Sequence, residues 1–238
     1  MREGLLLRIR RFRSADAGLA AVELALILPV LLILMLGGIQ VVTYISAVRK
    51  IERVVESISQ MISQTKPPDG STVAAVTAAD LHFGFDAALV LFPYLMTEGK
   101  RQNRPWSQVI TINYAGIKFT PVATTCTDSG DQSACYRADV VWTSTGTAQP
   151  ASGDAFRPCG TPQIAGANDA APSRTTLPRS LFGPAAVVVI DVMFAFTPTF
   201  GARYLPTIQI ARSAYTQPRY ATLVDYAPSD NDRIAIKC

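Results

Sequence analysis

The sequence predicts an α+β protein in which one long N-terminal helix packs on an antiparallel sheet, and three observations predict it. The first is an apolar run from Leu19 to Ser46 that holds no polar side chain between Leu24 and Ile39. The second is that apolar residues then recur every three or four positions as far as Ile62, so one helix passes from apolar all round to apolar on a single stripe. The third is a set of four strand-like segments in the later chain, one of them apolar throughout save for Asp191, which is the pattern of a central strand covered on both faces. A helix stripe and a sheet face each need a cover, and each is the obvious cover for the other.

Taken in order, residues 1–18 form a basic leader with Arg2, Arg8, Arg10, Arg11 and Arg13. Residues 19–46 read as a transmembrane helix, since at about 1.5 Å per residue they can cross a bilayer core of roughly 30 Å. Pro29 removes one backbone hydrogen bond within that span and marks a kink. Residues 47–66 are the amphipathic continuation, with Val48, Ile51, Val54, Val55, Ile58, Met61 and Ile62 on the stripe and Arg49, Lys50, Glu52, Arg53, Glu56 and Gln60 largely between them. From Leu19 to Gln64 this helix would measure about 69 Å. Lys66-Pro67-Pro68-Asp69-Gly70 stops it, because neither proline can donate to a helical ladder.

Residues 67–238 are left for the exported α+β domain. Asp80 is the expected cap of one further helix, which carries Leu81, Phe85, Leu89 and Phe92 on one face and ends near Pro93 or Met96. Strands are expected at Val109 to Phe119, Tyr136 to Thr143, Ala185 to Thr197 and Thr207 to Tyr215. Between the second and third lies Thr145 to Pro184, rich in Gly, Pro, Ser, Thr and Ala, which reads as a long irregular loop.

Charge narrows the function. The net charge is +4, and much of that excess sits in the leader. Downstream the charges are mixed and sparse, so no nucleic-acid surface is expected. The apolar run Ala185 to Phe196 is too short to span as a helix and contains Asp191, so a single membrane crossing is predicted. Five arginines before the span, against Arg49, Lys50 and Arg53 after it, keep the leader cytoplasmic and export the rest to an oxidising compartment. There the four cysteines permit three disulfide pairings. The expected one joins Cys126 with Cys135, closing a small loop, and Cys159 with Cys238, tying down the C-terminus. A zinc site is the rival reading, disfavoured because there is no Cys-x-x-Cys and His82 is the sole histidine.

No catalytic residue, cofactor, metal or small-molecule substrate is expected. One histidine on the apolar side of a helix is a poor general base, and no Gly-rich phosphate loop, His-Glu-x-x-His or Gly-x-Ser-x-Gly occurs. Ser63-Gln64-Thr65-Lys66 fits Ser-x-x-Lys, but its companion elements are absent and it reads as a chance match. Asp128 with Asp131, and Asp230 with Asp232, lack calcium-loop spacing and read as solvated turns. Glu23 stands apart, since a carboxylate at the start of a span is costly unless it lies at the interface or is paired. Cleavage after Gly18 would free an amino group on Leu19, four residues before Glu23 and on the same helix face. Glu23 would then be a charge for setting helices in register.

The basic leader, Gly18, Leu19-Ala20-Ala21-Val22-Glu23-Leu24 and Leu28-Pro29-Val30 resemble the processing region of type IV prepilins. The string Gly18 to Pro29 is more particularly similar to the TadE/TadG-like pilus assembly proteins of the Tad/Flp tight-adherence system, and the helix tail Ile58 to Gln64 looks like that group too. Leu24 stands where an aromatic residue commonly follows the glutamate. The resemblance implies a single-pass inner-membrane, minor pilin-like pseudopilin of bacteria, with an exported periplasmic domain. It also implies cleavage after Gly18 by a prepilin peptidase, partnership with other pilin-like and Tad assembly subunits, and a role in pilus biogenesis and adhesion. The alternatives are a static single-pass protein with a periplasmic binding domain unrelated to pili, and an enzyme released by signal peptidase near Ser46-Ala47.

Overall fold

Helix α1 (Asp16–Ser63) organises the computed structural model. The structure describes residues 16–122, 130–145, 147–148, 151–152, 155–200, 202, 205–228 and 234–238. Most of the leader, and with it Cys126, Asp128, Asp230 and Asp232, lies outside the described residues. The helical run continues through Pro29 and ends within a residue of where the periodicity stops.

Strand β1 (Val73–Thr77) follows and leads directly into α2 (Ala78–Leu91). The cap of α2 is Thr77 rather than Asp80. Thr77 Oγ1 accepts from the Asp80 backbone N–H at 3.4 Å, and Asp80 Oδ2 accepts from the Thr77 N–H at 2.8 Å, a reciprocal capping box. Where one further helix is expected, the described residues form two, because Pro93 cannot continue α2; the chain turns by 90° into α3 (Tyr94–Gln102).

The main sheet has five antiparallel strands in the order β11-β3-β2-β8-β9. They are β2 (Ile110–Pro121), β3 (Tyr136–Ser144), β8 (Val187–Phe196), β9 (Ile208–Thr216) and β11 (Ala235–Lys237). The four long strands, β2, β3, β8 and β9, fall within two residues of where the sequence predicts them. The short pieces between β3 and β8 are β4 (Thr147–Ala148), β5 (Ala151–Ser152), β6 (Ile164–Gly166) and β7 (Thr176–Pro178). Strand β10 (Leu223–Ala227) pairs in parallel with β1 as a separate ribbon, joining segments about 150 residues apart that local periodicity has no means of linking.

Side chains of β8 alternate between two cores. Val188, Ile190, Val192, Phe194 and Phe196 meet α1 through Ile51, Val54, Ile58 and Ile62, in a core closed by α2 and the β1–β10 ribbon. Each fully buried isoleucine there contributes about 2 kcal/mol of transfer free energy. Gly84 lets α2 approach β2, since a Cβ at that position would lie 2.6 Å from the Tyr114 hydroxyl. On the opposite face Val187 and Val189 join Ile117, Phe119, Leu177 and Phe182, so the cover there is the long connection between β3 and β8.

Candidate functional site: the free helix and its seat

The first half of α1 makes a surface rather than a core. Every residue from Ala21 to Met35 is exposed, including Leu26 at 71% and Ile33 at 70%, values that no packed leucine or isoleucine would show. Ala21–Ser63 is long and apolar enough to cross a membrane. Gly18 and Leu19 lie in the opening turns of α1, and Glu23 is exposed on the helix about one turn later. In the uncut chain the Leu19 nitrogen is a peptide amide, so the Leu19–Glu23 ion pair has only one of its two charges.

Gln40 ties the helix to the domain. Its side-chain Oε1 accepts from the backbone N–H of Thr199 at 2.8 Å and of Phe200 at 3.3 Å, which fastens the β8–β9 connection to the helix. Tyr44 then stacks edge-on against Phe196, and Ala47 is the first buried residue of the helix. Helix α3 holds the same connection from behind. Arg101 donates to the carbonyls of Thr197 and Pro198 and pairs with the wholly buried Glu98 at 3.1 Å, while Glu98 accepts from the Thr197 N–H at 2.8 Å. Arg101 also donates to the Tyr94 hydroxyl at 2.7 Å, and burial raises the Tyr94 pKa above its ordinary value against the pull of that guanidinium.

The far face of the sheet is held by charge. Arg157, fully buried in the long connection, grips Asp191 of β8 with two hydrogen bonds, Nε to Oδ2 at 2.8 Å and Nη2 to Oδ1 at 3.2 Å. Its Nη1 donates to Gln163 and to the Thr176 carbonyl, and the Ser213 hydroxyl donates to Asp191 Oδ1. Burial holds the Asp191 carboxyl above its ordinary value, a rise that Arg157 and Ser213 oppose only in part. Asp191 stood out in the sequence as the one charge in an apolar strand; Arg157 did not, because nothing periodic surrounds it. A disulfide joins Cys159, two residues beyond Arg157, to Cys238 with Cα atoms 5.4 Å apart. Cys135 is also disulfide-bonded.

Ser63 and Lys66 are not brought together as nucleophile and base. The Ser63 hydroxyl donates back to the Gln60 carbonyl at 2.9 Å, and Lys66 Nζ lies 5.7 Å from the centre of the Tyr220 ring. Asp131 accepts from the Ser133 N–H at 3.0 Å and from Arg179 at 3.3 Å, a turn closed by a surface ion pair. Among the described residues no group of three His, Cys, Asp or Glu side chains could hold a metal ion.

No curated protein and no solved structure matches the chain. The family model TadE, TadE-like protein, matches residues 18–57, beginning at Gly18 and ending within the amphipathic half of α1. Residues 18–57 are thus similar to a TadE-like domain, and together with a helix long and apolar enough to cross a membrane this likeness suggests a membrane-anchored protein associated with Tad pili.

Proposed function

We propose that the protein is a minor pilin-like component in the biogenesis of Tad/Flp pili, and so in surface adhesion. The observation that carries the reading is the coincidence of the TadE-like match, residues 18–57, with a helix whose first half is exposed and apolar and whose second half is buried in a folded domain. In this reading residues 19–46 cross the bacterial inner membrane once, the arginine-rich leader stays in the cytoplasm and residues 67–238 fold in the periplasm. A prepilin peptidase cuts between Gly18 and Leu19. A glycine costs a helix about 1 kcal/mol relative to alanine, which favours fraying of the turn that must open for the cut. The freed Leu19 ammonium and Glu23 then form an opposite-charge pair, within one helix or between neighbouring pilin-like helices, that sets their register in a low-dielectric medium.

N-terminal sequencing of protein recovered from membranes tests this directly. Leu19 as the first residue is the expected result, and an intact Met1 would defeat the processing step. Glu23→Ala should leave the protein in the membrane while reducing its co-purification with other pilin-like subunits; unchanged association would return Glu23 to a simple interfacial position.

A further inference from the structure

The place where α1 leaves the domain is ringed by apolar side chains that face outward. On one side Val41, Tyr44, Phe196, Leu205 and Ile208 line an open groove of about 280 Å³; on the other Val42, Ala47, Phe92, Pro93 and Tyr94 line a second of about 280 Å³. Leu205 is 49% exposed. Phe200 and Ile208 are exposed too. Three polar side chains of this collar are turned inward, while Thr97 and Lys100 of α3 and Lys50 beside the second groove stay exposed. Glu98 and Arg101 are turned onto the backbone of Thr197 and Pro198, and Gln40 is turned onto Thr199 and Phe200. Apolar surface is thus held outward by a network of inward hydrogen bonds.

The depth of the collar follows from the helix. From Leu19 to Ile39 an α-helix rises about 31 Å, close to the roughly 30 Å of a hydrocarbon core. Gln40, which ties the domain to the helix, therefore falls at the end of that core, in the layer that favours aromatic and amphipathic groups. Resting on the membrane reading of α1, we propose that this collar of α3 and the β8–β9 connection is seated in the lipid interface, so that the domain lies against the bilayer instead of swinging above it. The occupant of both grooves is lipid, because the grooves continue without a break into the exposed apolar surface of α1. Lys50, which borders the second groove, stands on the headgroup side of that layer.

Full-length protein in vesicles containing lipids brominated near the headgroup end of the acyl chains tests the proposal by tryptophan quenching, with the unsubstituted protein as the baseline for Trp106 and Trp142. Three single variants are compared: Leu205→Trp in the collar, Leu32→Trp in the span, and Tyr220→Trp at the opposite end of the domain, where Arg219 donates to the Ser63 carbonyl. The added fluorescence of Leu205→Trp should fall to about half, that of Leu32→Trp should fall as well, and that of Tyr220→Trp should be unchanged. Leu205→Trp as bright as Tyr220→Trp, with Leu32→Trp quenched, would overturn the seated collar while leaving the membrane helix standing. An unquenched Leu32→Trp would overturn both. If Leu205→Trp is unquenched and Leu205→Cys cross-links two copies, the collar is a contact between copies and the proposal fails.

Discussion

The two faces of the five-stranded sheet are covered by opposite means. One carries α1, whose stripe of Ile51, Val54, Ile58 and Ile62 meets the β8 side chains in a core of hydrocarbon. The other carries an irregular connection whose apolar contacts, such as Phe119 edge-on against Phe182 at 5.2 Å, are supplemented by a buried Arg157–Asp191 pair and by the Cys159–Cys238 disulfide. Regular structure satisfies its own backbone and can seal a face with apolar side chains alone. A connection rich in proline, glycine and small residues has less apolar surface to bury and many backbone groups to satisfy, and Arg157 and Gln163 serve both needs: each donates to a backbone carbonyl, of Thr176 and Arg174 respectively. The same strand is therefore held on one side by a non-directional force and on the other by directional contacts with a defined geometry.

This contrast can be broken most strongly at the ion pair. Arg157→Ala leaves Asp191 buried without its counter-charge, and a loss of about 3–5 kcal/mol is expected in urea unfolding of the detergent-solubilised protein. Replacing both partners with apolar residues of similar volume should recover most of that loss, which would identify the penalty as an orphaned charge. On the helix face Ile58→Ala should cost about 2–5 kcal/mol through a cavity. The two variants should differ in kind. Limited proteolysis of Arg157→Ala should cut first within residues 155–184, whereas Ile58→Ala should loosen the whole domain together. Cutting in the same place for both would show that the faces are one cooperative unit.

Cys159→Ser opens a covalent tie between residues 79 apart in sequence and should cost about 2–4 kcal/mol, acting chiefly by releasing the unfolded chain. The smallest effect belongs to Asp131. The Ser133 hydroxyl and N–H, helped by Arg179, hold its carboxyl below the ordinary value. A depressed folded pKa contributes stability that is present above the unfolded value and lost as pH falls through the folded one. The Tm difference between the protein and Asp131→Asn should therefore be small near neutral pH and vanish in acid; a difference that grows on acidification would reverse the sign of the contact.

Legibility in the sequence followed locality. The α1 stripe, the proline stop after Thr65 and the four main strands could be read because each is written in a period of a few residues. The capping box was half legible, since Asp80 announces a helix start while Thr77, three residues earlier, supplies the cap. The α2–α3 corner was signalled by Pro93, although proline alone does not say whether a helix ends or resumes in a new direction. The β1–β10 ribbon could not be read at all, because parallel pairing of short distant strands leaves no local trace. The candidate site divides in the same way. Gly18, Leu19 and Glu23 stand out through spacing along one helix, whereas Arg157 emerges only when a connection of no fixed period is folded over β8.

Hydrophobicity and the 3.6-residue period act within one segment, so the passage of α1 from a membrane-length apolar half into an amphipathic half is written in the chain's local pattern. The same local pattern places β8 inside the sheet with both faces covered, because only such a strand tolerates so little polarity. Tertiary structure alone decided what provides the second cover, which guanidinium neutralises Asp191, and at Gln40 where the domain takes hold of its helix. Those outcomes depend on contacts between residues tens to more than a hundred positions apart, whose energies exist only after the chain has closed.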